Sequence, residues 1–274
     1  MLDFKRAAQM AFKSVGLEVR RAVPAPALAS DGQPPTLTLE VQPRGIPVEL
    51  TKEEGEMVEY ILRNRLSMTS MERLATTIMA CKHAVSQKIP GDFVECGVWR
   101  GGHPMLAAWT FQSLGSDRRV FLFDTFTGMT KPTKKDSDGG AMSGFLENQR
   151  ETHNEWCYAS LEDVKRNFER AGLLTESVVF VKGDVLDSLS REELLPRGVS
   201  VLRLDTDWYE STKKELEVLY PRLSVGGALI IDDYGHWAGA RDATEEYFSS
   251  RGGRPFLQYI DYTSRAGVKF DRTR

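Results

Sequence analysis

Apolar and polar positions along this chain follow two rhythms, and the change between them marks where the main fold begins. From Thr51 the apolar positions recur at helical spacing. Met57, Tyr60 and Ile61 share one face, after a Thr51 cap and an acidic first turn of Glu53 and Glu54. A second helix is predicted from about Ser70 to Gln87, with Leu74, Ile78, Cys81 and Val85 on one side. Beyond residue 90, short apolar runs without polar alternation take over: Phe93-Val94 with Cys96, Arg119 to Asp124, Ser177 to Asp184, Gly198 to Asp205, and Gly227 to Asp233. Helical stretches separate them, most plainly Leu161 to Ala171, Ser211 to Tyr220 and Arg241 to Arg251. Runs of this kind suit strands covered on both faces by helices. The pattern therefore predicts an α/β fold with a doubly wound, mostly parallel sheet. The tail, Pro255 to Ile260 and Gly267 to Phe270, reads as an antiparallel edge pair.

Three segments stand outside the alternation. The N-terminus reads as a basic amphipathic arm, with Leu2, Phe4, Met10, Phe12 and Leu17 as its apolar side. Residues 22 to 47 are rich in Pro and Ala and read as a linker or extended arm rather than a packed element. The stretch from Thr125 to Tyr158 is too long for an ordinary connection and carries Gly128, Pro132, Gly139, Gly140 and Gly144. It follows a strand, so it is expected to close over the ligand crevice as a lid. The expected organisation is an arm over 1–47, a helical cap over 48–88, and a core over 89–274 with its lid at about 125–158.

Composition narrows the class. A hydrophobic content of 41% and a net charge of -3 describe an ordinary soluble protein, with no bulk attraction to nucleic acid or membrane surfaces. No apolar run approaches the ~20 residues of a membrane span, and the N-terminus lacks a continuous signal core. The three cysteines, Cys81, Cys96 and Cys157, have no metal-type spacing and fit a reducing cytoplasm.

The chemistry gathers at strand ends. In open α/β sheets, ligands sit beyond the carboxyl ends of the strands. Here five such ends carry acids: Glu95, Asp124, Asp184, Asp205 with Asp207, and Asp232 with Asp233. Crowded like charges need a cation or hydrogen-bond donors. Asp205, Asp232 and Asp233, with no His or Cys among them, suit a hard divalent ion, Mg²⁺ first. Asp124, about twenty residues past a glycine-rich turn, is placed to accept ribose hydroxyls. The turn reads Gly97-Val-Trp-Arg-Gly-Gly102 and departs from Gly-x-Gly-x-x-Gly. That favours a looser nucleoside site over a pyrophosphate cradle. Gly183 and Asp184 either contact a purine edge or end a strand.

Four motifs in order make the chain recognisable. They are Glu95-Cys-Gly-Val-Trp-Arg-Gly-Gly102, Phe123-Asp-Thr-Phe-x-Gly-Met129, Leu202-Arg-Leu-Asp-Thr-Asp-Trp-Tyr-Glu-Ser-Thr212, and Leu223-Ser-Val-Gly-Gly-x-Leu-Ile-Ile-Asp-Asp-Tyr-Gly235. With Thr69-Ser70-x-Glu72-Arg73 before them, they resemble the macrocin O-methyltransferase family, over roughly residues 68 to 250. The resemblance implies a class I methyltransferase fold with a doubly wound, seven-stranded Rossmann-like sheet, S-adenosylmethionine as donor, and Mg²⁺ holding a sugar-type hydroxyl acceptor. Glu95, Gly97 and the turn Trp99, Arg100, Gly101, with Thr69 and Ser70, are implied to line the methionine end of the donor. Asp124 is implied to hold the ribose, Gly183 and Asp184 to lie near the adenine, and Asp205, Asp232 and Asp233 to bind the metal. A homo-oligomer is expected. His103-Pro104 and Thr127 depart from the family pattern; His103 either reaches the donor or, as the preferred reading, caps a helix or lies at the surface.

The implied reaction moves a methyl group from a sulfonium to a hydroxyl oxygen. A divalent ion lowers the pKa of the hydroxyl, and a nearby carboxylate takes its proton. Asp207 is the preferred base, Asp205 a second, and His236 a rival with a more suitable ordinary pKa. Trp208, Tyr209 and Trp237 are either sugar-stacking or core aromatics. Competing readings are a catechol-type methyltransferase, a metal-dependent glycosyltransferase using Asp205-Thr-Asp207, and a non-enzymatic scaffold with a degenerate donor pocket.

Overall fold

The computed structural model describes residues 17–21, 39–43, 45–136 and 139–271. The chain divides into two units, Met1–Pro47 and Val48–Arg274. In the first unit, strands β1 (Leu17–Arg21) and β2 (Leu39–Pro43) pair antiparallel, with Val19 opposite Val41. This corrects the reading of 22–47 as unpacked throughout. Leu39-Glu-Val-Gln alternates with the period of a strand, a signal hidden by the surrounding prolines. The arm positions Leu2, Phe4, Met10 and Phe12 lie outside the described residues.

The second unit opens with helices α1 (Lys52–Arg63) and α2 (Met71–Ser86). Thr51 and Glu54 form a reciprocal capping box on α1, and Ser70 caps α2 by accepting from the Arg73 amide. The alternation then follows: β3 (Asp92–Cys96), α3 (Gly102–Ser113), β4 (Val120–Asp124), the lid with α4 (Ala141–Asn148), α5 (Leu161–Arg170) and β5 (Val178–Lys182). A single turn α6 (Val185–Ser188), β6 (Val199–Leu204), α7 (Tyr209–Leu219), β7 (Leu223–Ile231), α8 (Ala238–Ser249), β8 (Gln258–Tyr259) and β9 (Arg265–Val268) complete it.

These strands form one seven-stranded sheet in the order β5-β4-β3-β6-β7-β9-β8. The first five are parallel; β9 runs antiparallel to β7 and to β8. The order reverses between β3 and β6, so the crevice above these two strands is the topological switch point. All six residues of β6 are buried, as expected of a strand covered on both faces. One apolar cluster, with Phe93, Leu106, Phe111 and Ile78, packs under α1 to α3; another, with Val94, Leu202, Leu216 and Phe248, packs under α7 and α8. The sheet is thus held rigid from both sides. Its carboxyl edge carries the acids.

Candidate active site

Backbone geometry builds the first wall. Gly97 ends β3 at φ +79°, and a Cβ there would stand 1.9 Å from the Asp205 carbonyl oxygen. Only glycine lets the β3 turn come so close to the end of β6. The turn continues through Trp99 at φ +46° into Gly101, which starts α3. Asp124 closes this wall from β4. Its Oδ2 accepts the amides of Val98 (2.7 Å) and Trp99 (3.2 Å), and its Oδ1 accepts that of Phe126 (2.7 Å). Burial raises its pKa, and these three amides oppose the rise. The carboxylate therefore first shapes the turn, and part of its acceptor capacity on Oδ1 is left for a ligand.

The acids at the β3, β6 and β7 ends are held by two arginines. Arg203, the penultimate residue of β6, is fully buried. It donates to Glu95, to Asp205 Oδ2 at 2.6 Å, and to Asp232. Arg73, from α2, reaches Asp232 Oδ2 at 2.5 Å and Asp261 Oδ2 at 2.7 Å. Ser70 joins the same Asp261 oxygen at 2.7 Å. The helical cap is thereby tied to the sheet edge. One guanidinium shared among three carboxylates does not keep them all ionised. Burial pushes Glu95 up to about 8 despite its Arg203 partner, and its Oε2 is buried without a hydrogen-bond partner. Arg203 keeps its charge, raised further by these acids.

A second acid group lies beside this network. Oxygens of Asp205, Asp207 and Asp233 come within 4.8 Å of one another. Asp207 adopts φ +68°, an uncommon conformation for a residue with a side chain. It hydrogen-bonds to Asp233 and to the Trp237 side chain, and burial raises its pKa. Burial and the neighbouring carboxylates raise Asp233 well above its ordinary value, and its Oδ2 is buried without a partner among the described residues. Such a group is unfavourable unless it takes up protons or a cation. A hard, oxygen-seeking divalent ion fits this donor set. Asp232 uses both oxygens on guanidinium groups, yet a carboxylate has about four lone-pair sites, so capacity remains.

The lid forms the roof. Trp156 from the lid packs edge-on against Trp208 (5.9 Å) and Trp237 (6.2 Å), which pack on each other at 5.2 Å. The Trp208 indole donates to the Thr130 carbonyl at 2.9 Å. Trp208 and Trp237 are therefore core aromatics beneath the lid.

Together these walls enclose a cleft of about 520 Å³. Thr69, Glu95, Gly97, Trp99, Asp124, Gly183 and Asp184 line it on the side of the β3 turn. Asp205, Asp207, Asp232, Asp233 and His236 line it on the other. Asp184 also caps α6, accepting from the Leu186 amide at 2.9 Å. Ser70, Arg100 and Gly101 fall outside the lining. Ser70 turns to Asp261, Arg100 is exposed over the Trp99 ring at 4.8 Å, and Gly101 faces Phe168. His103, expected as a cap or surface residue, is buried between Thr77 (Nδ1, 2.7 Å) and Thr69 (Nε2, 2.9 Å). Burial holds it well below its ordinary pKa, so it is neutral. His236 is exposed at the mouth, with Nδ1 at 3.4 Å from the Tyr262 hydroxyl.

Sequence reasoning passed over Arg203 and Arg73 as site residues. The signal was present: an arginine inside an apolar run is buried only when paired. Asp136, in the lid, gave no comparable signal.

Comparison with known proteins identifies the family. The family profile described as macrocin-O-methyltransferase (TylF) matches residues 53–269. A Streptomyces olivaceus protein, 8-demethyl-8-(2,3-dimethoxy-alpha-L-rhamnosyl)-tetracenomycin-C 4'-O-methyltransferase, is 38% identical, covering 72% of this chain and 73% of its own. Mycinamicin III 3''-O-methyltransferase of Micromonospora griseorubida is 35% identical, covering 82% and 85%. Among solved structures, the O-methyltransferase NovP superposes with a TM-score of 0.68 at 32% identity, covering 75% of this chain and 83% of its own. With its class I sheet and this cleft, the chain belongs to the macrocin O-methyltransferase family and is an S-adenosylmethionine-dependent O-methyltransferase.

Proposed function

We propose that the enzyme methylates a hydroxyl of a sugar, or of a sugar-bearing natural product, with the help of a divalent cation, Mg²⁺ first. The observation that carries this reading is the acid group Asp205, Asp207 and Asp233, whose oxygens share a 4.8 Å neighbourhood at the switch point. The rhamnosyl acceptor printed in the name of the S. olivaceus relative supports the sugar. Asp205 and Asp233 of this group, with Asp232 beside them through the lone pairs its arginines leave, would hold the cation, which would supply Lewis acidity that loosens a hydroxyl proton.

The remaining chemistry belongs to the chain. The β3 turn, Glu95 and Asp124 hold the donor with its methyl group facing the acids. Asp207, a carboxylate held beside the acceptor side of the cleft, takes the acceptor proton. The hydroxyl oxygen then forms a bond to the methyl carbon as the carbon–sulfur bond breaks, leaving S-adenosylhomocysteine. Trp237 and Asp233 orient Asp207. Trp156 of the lid, packed on Trp208 and Trp237, excludes water, which would otherwise compete as acceptor. His236, exposed beside Tyr262, contacts the acceptor rather than serving as base.

No helix among the described residues is long and apolar enough to cross a membrane. The three cysteines are free, which fits a cytoplasmic enzyme, and a homo-oligomer is the working assembly. Transfer of label from methyl-labelled donor to glycosides, deoxysugars and catechols, with and without chelator, tests the reading. Glycoside labelling that chelator abolishes is expected; labelling of catechols alone would overturn the sugar assignment.

A further inference from the structure

Glu215 is fully buried on α7 and takes no part in the steps above. Its Oε1 accepts the Thr206 hydroxyl at 2.8 Å. Its Oε2 is buried without a hydrogen-bond partner, and the Cys96 thiol is its polar neighbour. Both contacts matter by position. Thr206 sits between Asp205 and Asp207, and Cys96 immediately precedes Gly97. Glu215 therefore lies beneath the acid loop and the donor turn at once.

The acid loop needs an anchor. Asp207 stands at φ +68°, a conformation that persists only when its surroundings enforce it. The Trp208 amide donates to the Thr206 carbonyl at 2.8 Å, which fixes the backbone on one side. The Thr206 side chain fixes it on the other, through Glu215. Burial raises the Glu215 pKa well above its ordinary value, with no cationic partner to oppose it.

We propose that Glu215 is a positioning residue: it holds Thr206 so that Asp205 and Asp207 both face the acceptor. The inference rests on the reading that Asp205 and Asp207 handle the acceptor. Displacing reacting groups by about 1 Å can cost about 100-fold in rate, so the effect should appear in kcat.

The test uses the full chain, labelled donor, and an acceptor that the unmodified enzyme methylates. Glu215→Leu should lower kcat by about 100-fold, with affinity for S-adenosylhomocysteine, measured by calorimetry, unchanged. Thr206→Val should give the same loss, and the double variant should be no worse than either single change. Glu215→Gln and Thr206→Ser should restore turnover, because each keeps the hydrogen bond. Full kcat in Thr206→Val, multiplying losses in the double variant, or failure of both conservative variants would overturn the proposal. If Glu215→Leu does not fold, Thr206→Val decides alone, since it leaves the buried carboxyl in place. Asp207→Asn separates the two levels. Undiminished turnover there removes the acceptor reading, whereas its loss beside a fully active Thr206→Val removes only the role of Glu215.

Discussion

Asp136 and Tyr209 are joined across the lid: Oδ1 of Asp136 accepts the Tyr209 amide at 2.7 Å. A lid residue thus caps α7, whose own N-cap, Trp208, makes no side-chain cap hydrogen bond. Asp136 Oδ2 also accepts the Thr133 amide and hydroxyl, each at 2.9 Å. Loss of a cap costs about 1–2 kcal/mol. Asp136→Ala should lower unfolding free energy by about that amount and speed proteolysis within 125–158. Unchanged cleavage of the lid would show that the tryptophan cluster alone holds it.

Arg203 carries a second prediction. Removing one partner of a buried ion pair costs about 3–5 kcal/mol, because the other charge is left unpaired. Arg203→Met strands Glu95, Asp205 and Asp232, and should destabilise by about that amount in chemical denaturation. Arg203→Lys should not rescue it, since an ammonium does not reproduce the guanidinium fork. A fully stable Arg203→Met would mean that the acids are already protonated or held by other donors.

The pH dependence has a definite sign. Burial raises Glu95 to about 8 and Asp207 to about 7, from ordinary values of 4.5 and 3.8. Between the unfolded and folded values the folded chain binds the extra protons, so stability falls as pH rises through that window. The penalty is absent below the unfolded values and complete above the folded ones. In cation-free protein, Asp207→Asn should therefore raise Tm relative to wild type, and more so at about pH 8 than at about pH 5. Scanning calorimetry of the two proteins checks this; a gain that shrinks with rising pH would contradict it.

Much of the fold was legible because each parallel strand is a short apolar run with an acid at or near its carboxyl end, as with Asp124 closing Val120–Asp124 and Asp205 following Val199–Leu204. Burial on both faces leaves that signature. The short edge strand Gln258–Tyr259 and the antiparallel β9 were also legible as a pair, though their bounds shifted. The β1–β2 pairing was not, because proline-rich flanks masked four alternating residues. The site was legible where a residue type declares its chemistry, as with Asp205, Asp207 and Asp233. It was illegible where partners come from distant sequence. Arg73 meets Asp232 across 159 positions, and nothing local to either predicts the other. His103 was misplaced because its burial depends on Thr69 and Thr77, which only the packing of α2 on α3 brings near.

Asp207 and His236 divide the rival base assignments. Asp207→Asn should lower kcat by about 100- to 10,000-fold with donor affinity retained. His236→Gln should act mainly on acceptor KM. The reverse split would move the base to His236.

The most direct test of the account is methyl transfer itself: label from S-adenosylmethionine followed into a rhamnosyl-type glycoside, with Mg²⁺ or chelator, by wild type and by Asp207→Asn. The account predicts an O-methylated glycoside with wild type and Mg²⁺, and its loss with chelator or with Asp207→Asn. Equal product in all three conditions would contradict it.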